Sequence, residues 1–331
     1  MPSVPKVAIA CQGGGSHAAF AAGVLLGLLA PGTRERFELV ALSGTSGGAI
    51  CASLAWAGLA ESGPDAARGR LERFWRDLEA DDPVDQVLNF WSVFMARLPV
   101  TAEVSPYAYE PLAESTLRAL LRTHLGLENL HLDARRRAPE LFVGATDVES
   151  GDRVIFHGER LTEEQVVASA AVPPLYRAVR TKEGLFWDGL FSTNPPVREF
   201  TDLAPTPDEI WVVQINPQRR EQEPRSVRDI VDRRNELSGN LSLGQELYFI
   251  ERINQLRKEH ETLRGRYKHI DVHIVELDVR GLDYPSKLDR RREFIEELLE
   301  HGKSRAAEFL SPDSKWPHVG GVPAKAVRVR S

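Results

Sequence analysis

The hydrophobic positions change rhythm along the chain. "VAIAC" at 7–11 and "ELVALSG" at 38–44 are short, nearly continuous apolar runs, the pattern of strands buried on both faces. Each leads into a longer stretch of helix-favouring residues, "HAAFAAGVLLGLLA" at 17–30 and "GGAICASLAWAGLA" at 47–60. Strand followed by helix, twice, predicts βαβ units and a parallel sheet covered on both sides. Residues 64–125 read as mostly helical, and "RLERFWRDL" puts Leu71, Phe74, Trp75 and Leu78 on one face. "ELFVGATDV" and "RVIFH" flank a turn, "ESGD", between two strands. "TEEQ" at 162–165 has the form of a capping box and opens a short helix. "EIWVVQI" at 209–215 is another buried strand, "HIDVHIVEL" at 269–277 a late one, and 291–310 a closing helix.

Between them, residues 226–264 carry Val227, Ile230, Val231, Leu237, Leu241, Leu247, Ile250 and Ile253 at helical spacing among many charges. This predicts an amphipathic helix with its charged face in water, or one packed on a second copy or a partner. No repeat, low-complexity linker or boundary divides the chain. The expectation is one domain over residues 1–331, with its core motifs in 5–216 and a helix-rich extension in 217–331.

The composition narrows the classes. The 331 residues can bury a sizeable core, and 42% hydrophobic with 27% charged residues describe a soluble globular chain. A net charge of −6 argues against nucleic acid as partner, the basic "AKAVRVRS" being confined to the end. Two cysteines, Cys11 and Cys51, exclude a disulfide framework and read as small buried hydrophobes. The apolar runs are too short to span a bilayer, and no secretory signal is visible, so a cytoplasmic location is expected.

Three short pieces carry the chemistry. The second strand runs into "GTSGGA" at 44–49, a G-x-S-x-G pattern that sets Ser46 on a tight strand-to-helix turn with its hydroxyl exposed. "QGGGSHA" ends the first strand. Its Gly13, Gly14 and Gly15 amides, at a helix N-terminus, suit a developing oxyanion. The same loop also fits the dinucleotide fingerprint G-x-G-x-x-A. That fingerprint needs an acid at the C-terminal end of the second strand, and Glu38 lies at the other end. "WDGLFSTNPP" offers Asp188 as a base; an aspartate before glycine is otherwise a common turn residue.

In this order and setting, "GGGSHA", "GTSGG" and "DGL" resemble the patatin-like phospholipase family. "ATDVESGDRVIF" at 145–156, "ASAAVPP" at 168–174 and Asn194-Pro195 add to the likeness, which covers residues 5–216 well and the rest loosely. The resemblance implies an α/β fold: a three-layer sandwich with a mainly parallel central sheet, a patatin-like variant of the α/β-hydrolase type. It implies a serine acyl hydrolase acting on lipid, of phospholipase A or lysophospholipase type, with peripheral membrane contact and neither metal nor organic cofactor. Ser46 would be the nucleophile and Asp188 the base in a dyad, Gly13 to Gly15 the oxyanion hole, and His17 and Gly47 modulators beside them. The alternatives are a short-chain carboxylesterase or thioesterase, and a dinucleotide-binding module. The chain departs from the family pattern at His17 and Ala18, where Arg or Lys then Gly is usual, and at Leu190, where Gly or Ala is usual.

Other readings bear on this one. A histidine triad would draw on His260, His269, His273 or His318. An aspartate base, even raised by partial burial, predicts an acidic limb below the histidine range. Phe90, Trp91, Phe94, Met95, Tyr107 and Tyr109 either pack on the core or meet an acyl chain or lipid surface. Asp147 reads as a turn residue.

Overall fold

A computed structural model describes residues 4–81, 83–97, 105–108, 112–173, 175–220, 223–278 and 281–311. Among the described residues eight strands form one sheet: β1 (Lys6–Cys11), β2 (Glu38–Thr45), β3 (Glu140–Asp147), β4 (Arg153–His157), β5 (Val179–Arg180), β6 (Leu185–Asp188), β7 (Glu209–Gln214) and β8 (Asp271–Glu276). Their order is β5-β6-β3-β2-β1-β7-β8, with β4 paired to β3 off that path. The β3-β2-β1-β7-β8 run is parallel throughout, while β4 and β6 lie antiparallel to β3. The mainly parallel sheet expected from the apolar runs is therefore present, with an antiparallel margin.

The helices are α1 (Ala18–Leu28), α2 (Gly47–Glu61), α3 (Pro64–Leu78), α4 (Pro83–Arg97), α5 (Leu112–Leu125), α6 (Leu132–Arg137), α7 (Glu163–Ser169), α8 (Val227–Glu259) and α9 (Arg292–Phe309). Alternation along β1 builds the three layers. Val7, Ile9 and Cys11 join the core with α1, α2, α3 and α9, while Ala8 and Ala10 join Phe142, Phe200, Leu243, Leu247 and Ile250 on the other face. The three-layer α/β sandwich follows. Leu71, Phe74 and Trp75 of α3 are buried together as their spacing predicts. The capping box is formed: Gln165 N–H donates to Thr162 Oγ1, and Thr162 N–H to Gln165 Oε1. Both cysteines are buried free thiols.

The C-terminal third is built into this frame. β8 extends the sheet beside β7, and α9 lies along α1, with Phe20 and His301 rings 5.5 Å apart. The helix α8 departs from the expected pattern. Its N-terminal half buries Asp232, Glu236 and Asn240, and leaves Val227, Ile230, Leu237 and Leu241 exposed. The expectation of a charged face in water is reversed here, because segments far along the chain supply partners for the buried carboxylates. Asp147 is a turn residue, its Oδ1 accepting from Glu149 N, Ser150 N and Ser150 Oγ.

Candidate active site

The sheet brings Ser46 and Asp188 together from either side of β3. Thr45 pairs with Gly144 of β3, and Asp188 pairs with the next residue, Ala145. Ser46 follows Thr45 at the C-terminal end of its strand and caps α2 at φ 58°, ψ −133°. It is the one non-glycine residue with positive φ among those described. Such a conformation costs of order 1–3 kcal/mol and persists only where its surroundings enforce it. They do so here: Ser46 N–H donates to the carbonyl and to Oγ of Ser169, whose hydroxyl donates onward to Gly144 O.

Asp188 is wholly buried, and its pKa is pushed up from 3.8 to about 7. Burial raises it, while the Ser46 side chain and the Leu190 N–H lower it. The Leu190 N–H bond to Oδ1 is 2.8 Å long; Oδ2 is buried without a hydrogen bond of ordinary geometry among the described residues. The Ser46 hydroxyl thus lies near enough to favour the charged carboxylate without closing a full hydrogen bond to it. An acidic limb below the histidine range no longer follows, because complete burial carries this aspartate into that range.

The glycine loop is pressed against the serine. A Cβ on Gly13 would sit 2.4 Å from Ser46 Cβ, so only glycine fits. Gly15 takes φ +59° and abuts the Lys287 backbone. The Gly13 N–H is already used, donating to Asn194 Oδ1 at 2.8 Å, and Gly13 O accepts from Asn216 Nδ2 at 2.9 Å. Gly14 and Gly15 come next, where the chain enters its first helical turn and N–H groups have no intrahelical acceptor. Gly47 faces Gly15 O and Ala18 across the same contact.

Sequence reasoning missed the buried amides that hold this loop. Gln12 Oε1 accepts from Ile215 N and Asn216 N, and Gln12 Nε2 donates to Asn240 Oδ1. Glu246 on α8 accepts from Thr193 Oγ1 and Arg198 N, and Thr45 Oγ1 donates to Thr193 O. The signal available was polar residues at positions flanked by apolar strand, Gln12 and Asn216 above all.

His17 is buried beside the loop, with Nε2 2.8 Å from Ser286 Oγ. Burial first, then Lys287 and Arg220, lower its pKa to about 3, so it is neutral. Those two cations belong to a cluster. Lys287 and Arg220 both pair with Asp232 and Glu236, and Arg233 with Glu236. Burial raises the Glu236 pKa, but its basic partners outweigh that and hold it below the usual range.

The competing residues lie elsewhere. Glu38 opens β2, at the strand end away from the glycine loop. His273 lines a cavity of about 290 Å³ with Glu209, Trp211 and Asp271 at the opposite end of the sheet from Ser46. His269 pairs with Asp271 there, and His260 follows the end of α8. His318, Tyr109, the side chains of Trp91, Phe94 and Met95, and the basic end all lie outside the described residues. Phe90 and Tyr107 are exposed, the latter with its hydroxyl accepting from Ala178 N–H. No helix among the described residues is long and apolar enough to cross a membrane.

No curated protein matches the chain in sequence. Among solved structures it is similar to VipD from Legionella pneumophila, at 13% identity and TM-score 0.45, over 92% of this chain and 66% of that one. It is similar also to the type III effector protein ExoU, at 15% identity and TM-score 0.33, over 91% and 54%. ExoU from Pseudomonas aeruginosa in complex with SpcU gives 14%, 0.30, and coverage of 80% and 59%. The chain thus spans between 54% and 66% of the length of these neighbours. The family model of the patatin-like phospholipases matches residues 9–201, which include the glycine loop, the serine turn and the aspartate, and the chain belongs to that family.

Proposed function

We propose that the chain hydrolyses acyl esters of lipids, in the manner of a phospholipase A or lysophospholipase, through a Ser46–Asp188 dyad. The observation that carries this reading is the pairing of a strained serine with a wholly buried aspartate whose pKa that serine lowers. Membership of the patatin-like phospholipase family supports the substrate class.

In the ionised enzyme Asp188 takes the hydroxyl proton as Ser46 Oγ attacks the ester carbonyl carbon. The negative charge passes to the carbonyl oxygen, where the Gly14 and Gly15 N–H groups receive it. Gly13, whose N–H is bound to Asn194, acts by position instead. The C–O bond to the alcohol breaks, Asp188 returns the proton to the leaving oxygen, and an acyl-Ser46 ester remains. Water then attacks that ester, Asp188 takes its proton, and the proton returns to Ser46 Oγ as the fatty acid departs. His17, neutral and turned to Ser286, shapes the loop and transfers no proton. Gly47 keeps α2 close to the loop, and the protein meets its substrate as a peripheral guest of a lipid surface.

The test is a fluorophosphonate probe with the adduct mapped by mass spectrometry. Label on Ser46, absent in Ser46→Ala, is expected. Label elsewhere, or none, refutes the serine mechanism. Hydrolysis of soluble short-chain esters without any on long-chain phospholipid would replace lipid by a small ester as substrate.

A further inference from the structure

We propose that the outer face of α8, from Val227 to Leu241, is an interfacial surface that seats the protein on a phospholipid layer with Arg234 among the phosphates. The choice of occupant rests on the lipid-hydrolase reading; the face itself rests on the fold.

At 100° per residue, Val227, Ile230, Arg234, Leu237 and Leu241 fall within an arc of about 80°, and at 1.5 Å per residue they run about 21 Å along the axis. Val227 is 66% exposed and Leu241 64%, and Ile230 and Leu237 are exposed too. The opposite face holds Asp232, Glu236, Asn240 and Leu243, all buried. A helix that turns its carboxylates inward and its aliphatic side chains outward gains nothing from water on the outer side. Its partner must be apolar, and must also accept the exposed Arg234 at the middle of the stripe.

A second copy is a poor partner. The stripe is centred on Arg234, so any two-fold pairing over its full length, parallel or antiparallel, sets Arg234 against its own image. Like charges at a closed interface are repelled. One helix stripe of this length also falls well short of the roughly 800 Å² per partner of a stable dimer. A phospholipid surface meets both demands: the aliphatic side chains enter the acyl boundary, and the guanidinium reaches phosphate oxygens along its own apolar stem.

The helix itself, by its inner side, packs beside the site. Leu190 and Phe191 follow the Asp188-Gly189 turn, and Phe191 is exposed. Ser238 of α8 donates to Leu190 O, and a Cβ on Gly239 would lie 3.3 Å from Leu190 Cδ1. Leu190 thus joins the turn after Asp188 to the helix, so the helix that meets the layer is the one packed on that turn.

The experiment is flotation of the full chain with vesicles of ether-linked phosphatidylcholine, with and without ether-linked phosphatidylglycerol. These lipids lack the ester, so binding is read apart from hydrolysis. The parent should float with both and more with the anionic vesicles. Leu237→Gln with Leu241→Gln, changes that a helix surface tolerates, should lower partitioning at least tenfold. Arg234→Gln should remove only the anionic preference. A polarity-sensitive thiol dye on Leu241→Cys, selective because Cys11 and Cys51 are buried, should shift to the blue when vesicles are added. Equal flotation of parent and double variant, or an unshifted dye, overturns the proposal. So does sedimentation of the parent as a dimer that the double variant dissociates. A parent that floats through α8 yet takes no probe on Ser46 upholds this surface and sinks the hydrolase reading.

Discussion

Replacing Asp188 by Asn is expected to abolish turnover and to stabilise the fold, by an amount that grows with pH. The reasoning is one of linkage. The folded-state pKa is about 7 against 3.8 for an ordinary aspartate, with burial as the main cause. Between those values the native chain holds a proton that the unfolded chain has released. Stability therefore falls as pH rises through the window and is lowest above it. About three pH units at roughly 1.36 kcal/mol each set a ceiling of about 4 kcal/mol. Asn is neutral at every pH, has nearly the same shape, and keeps an oxygen for the Leu190 N–H. The variant should match the parent near pH 4, gain on it up to pH 7, and hold a constant lead beyond. Denaturant unfolding of both proteins at half-unit steps from pH 4 to 8.5 measures the gap. In the same window the parent's turnover should fall about tenfold per unit below pH 7, as the base becomes protonated. A gap that is flat with pH, or a variant less stable than the parent at pH 8, would refute the buried-base argument.

Ser46→Ala should abolish hydrolysis and keep the fold. Ser46→Gly should be equally inactive but more stable than Ser46→Ala by about 1–2 kcal/mol in denaturant, because glycine relieves the positive φ. Gly14→Ala should lower turnover by roughly 10²-fold with little change in KM, since its Cβ would meet Ile215 Cγ2 at 2.9 Å and displace the loop; a change in KM alone would point to a ground-state anion site. Asn194→Ala should cost about 1–3 kcal/mol in denaturant by leaving the buried Gly13 N–H unpaired, and should lower turnover as the loop loosens. His260→Gln, His269→Gln and His273→Gln should each keep most of the turnover at pH 8. Any one of them as inactive as Asp188→Asn, with its fold intact, would replace the dyad by a triad.

Much of the fold was legible because parallel strands announce themselves. "VAIAC" and "EIWVVQI" are apolar on both faces, and only a sheet covered on both sides uses such runs. The two-residue β5 carries no such pattern, since its place depends on pairing with Leu185 and Phe186. The α8 helix was legible as a helix and not in its orientation. Apolar residues recur at the same spacing whether they face a core or a lipid, and what decides here is distant. Arg220 and Lys287 reach Asp232 and Glu236, and Arg153 reaches Glu246. In the site, Ser46, Asp188 and the glycines stood out because each needs a special residue at a special turn. The degree of burial of Asp188 did not, because it depends on segments distant in sequence, Ala171 bonded to its N–H and Ala145 paired beside it.

The departures from the family pattern, His17 and Leu190, both meet residues of the C-terminal third. At the position where the family usually carries Arg or Lys, this chain has His17, buried and neutral, which could not supply a positive charge to the glycine loop. Lys287 lies with its backbone against Gly15, and Lys287, Arg220 and Arg233 share two carboxylates, Asp232 and Glu236. Leu190, in place of a smaller residue, fits because Gly239 on α8 makes room beside it. Both sets of neighbours come from beyond residue 201, where the family match ends. So do Asn216 and Asn240, which hold the loop, and Glu246, which holds the segment after Asp188. The C-terminal third is therefore part of the site's construction. A variant that loosens α8 at Glu246 or Asn240, from Arg198 and Thr193 or from Gln12, should disturb the glycine loop and the aspartate turn together, because the same helix fastens both.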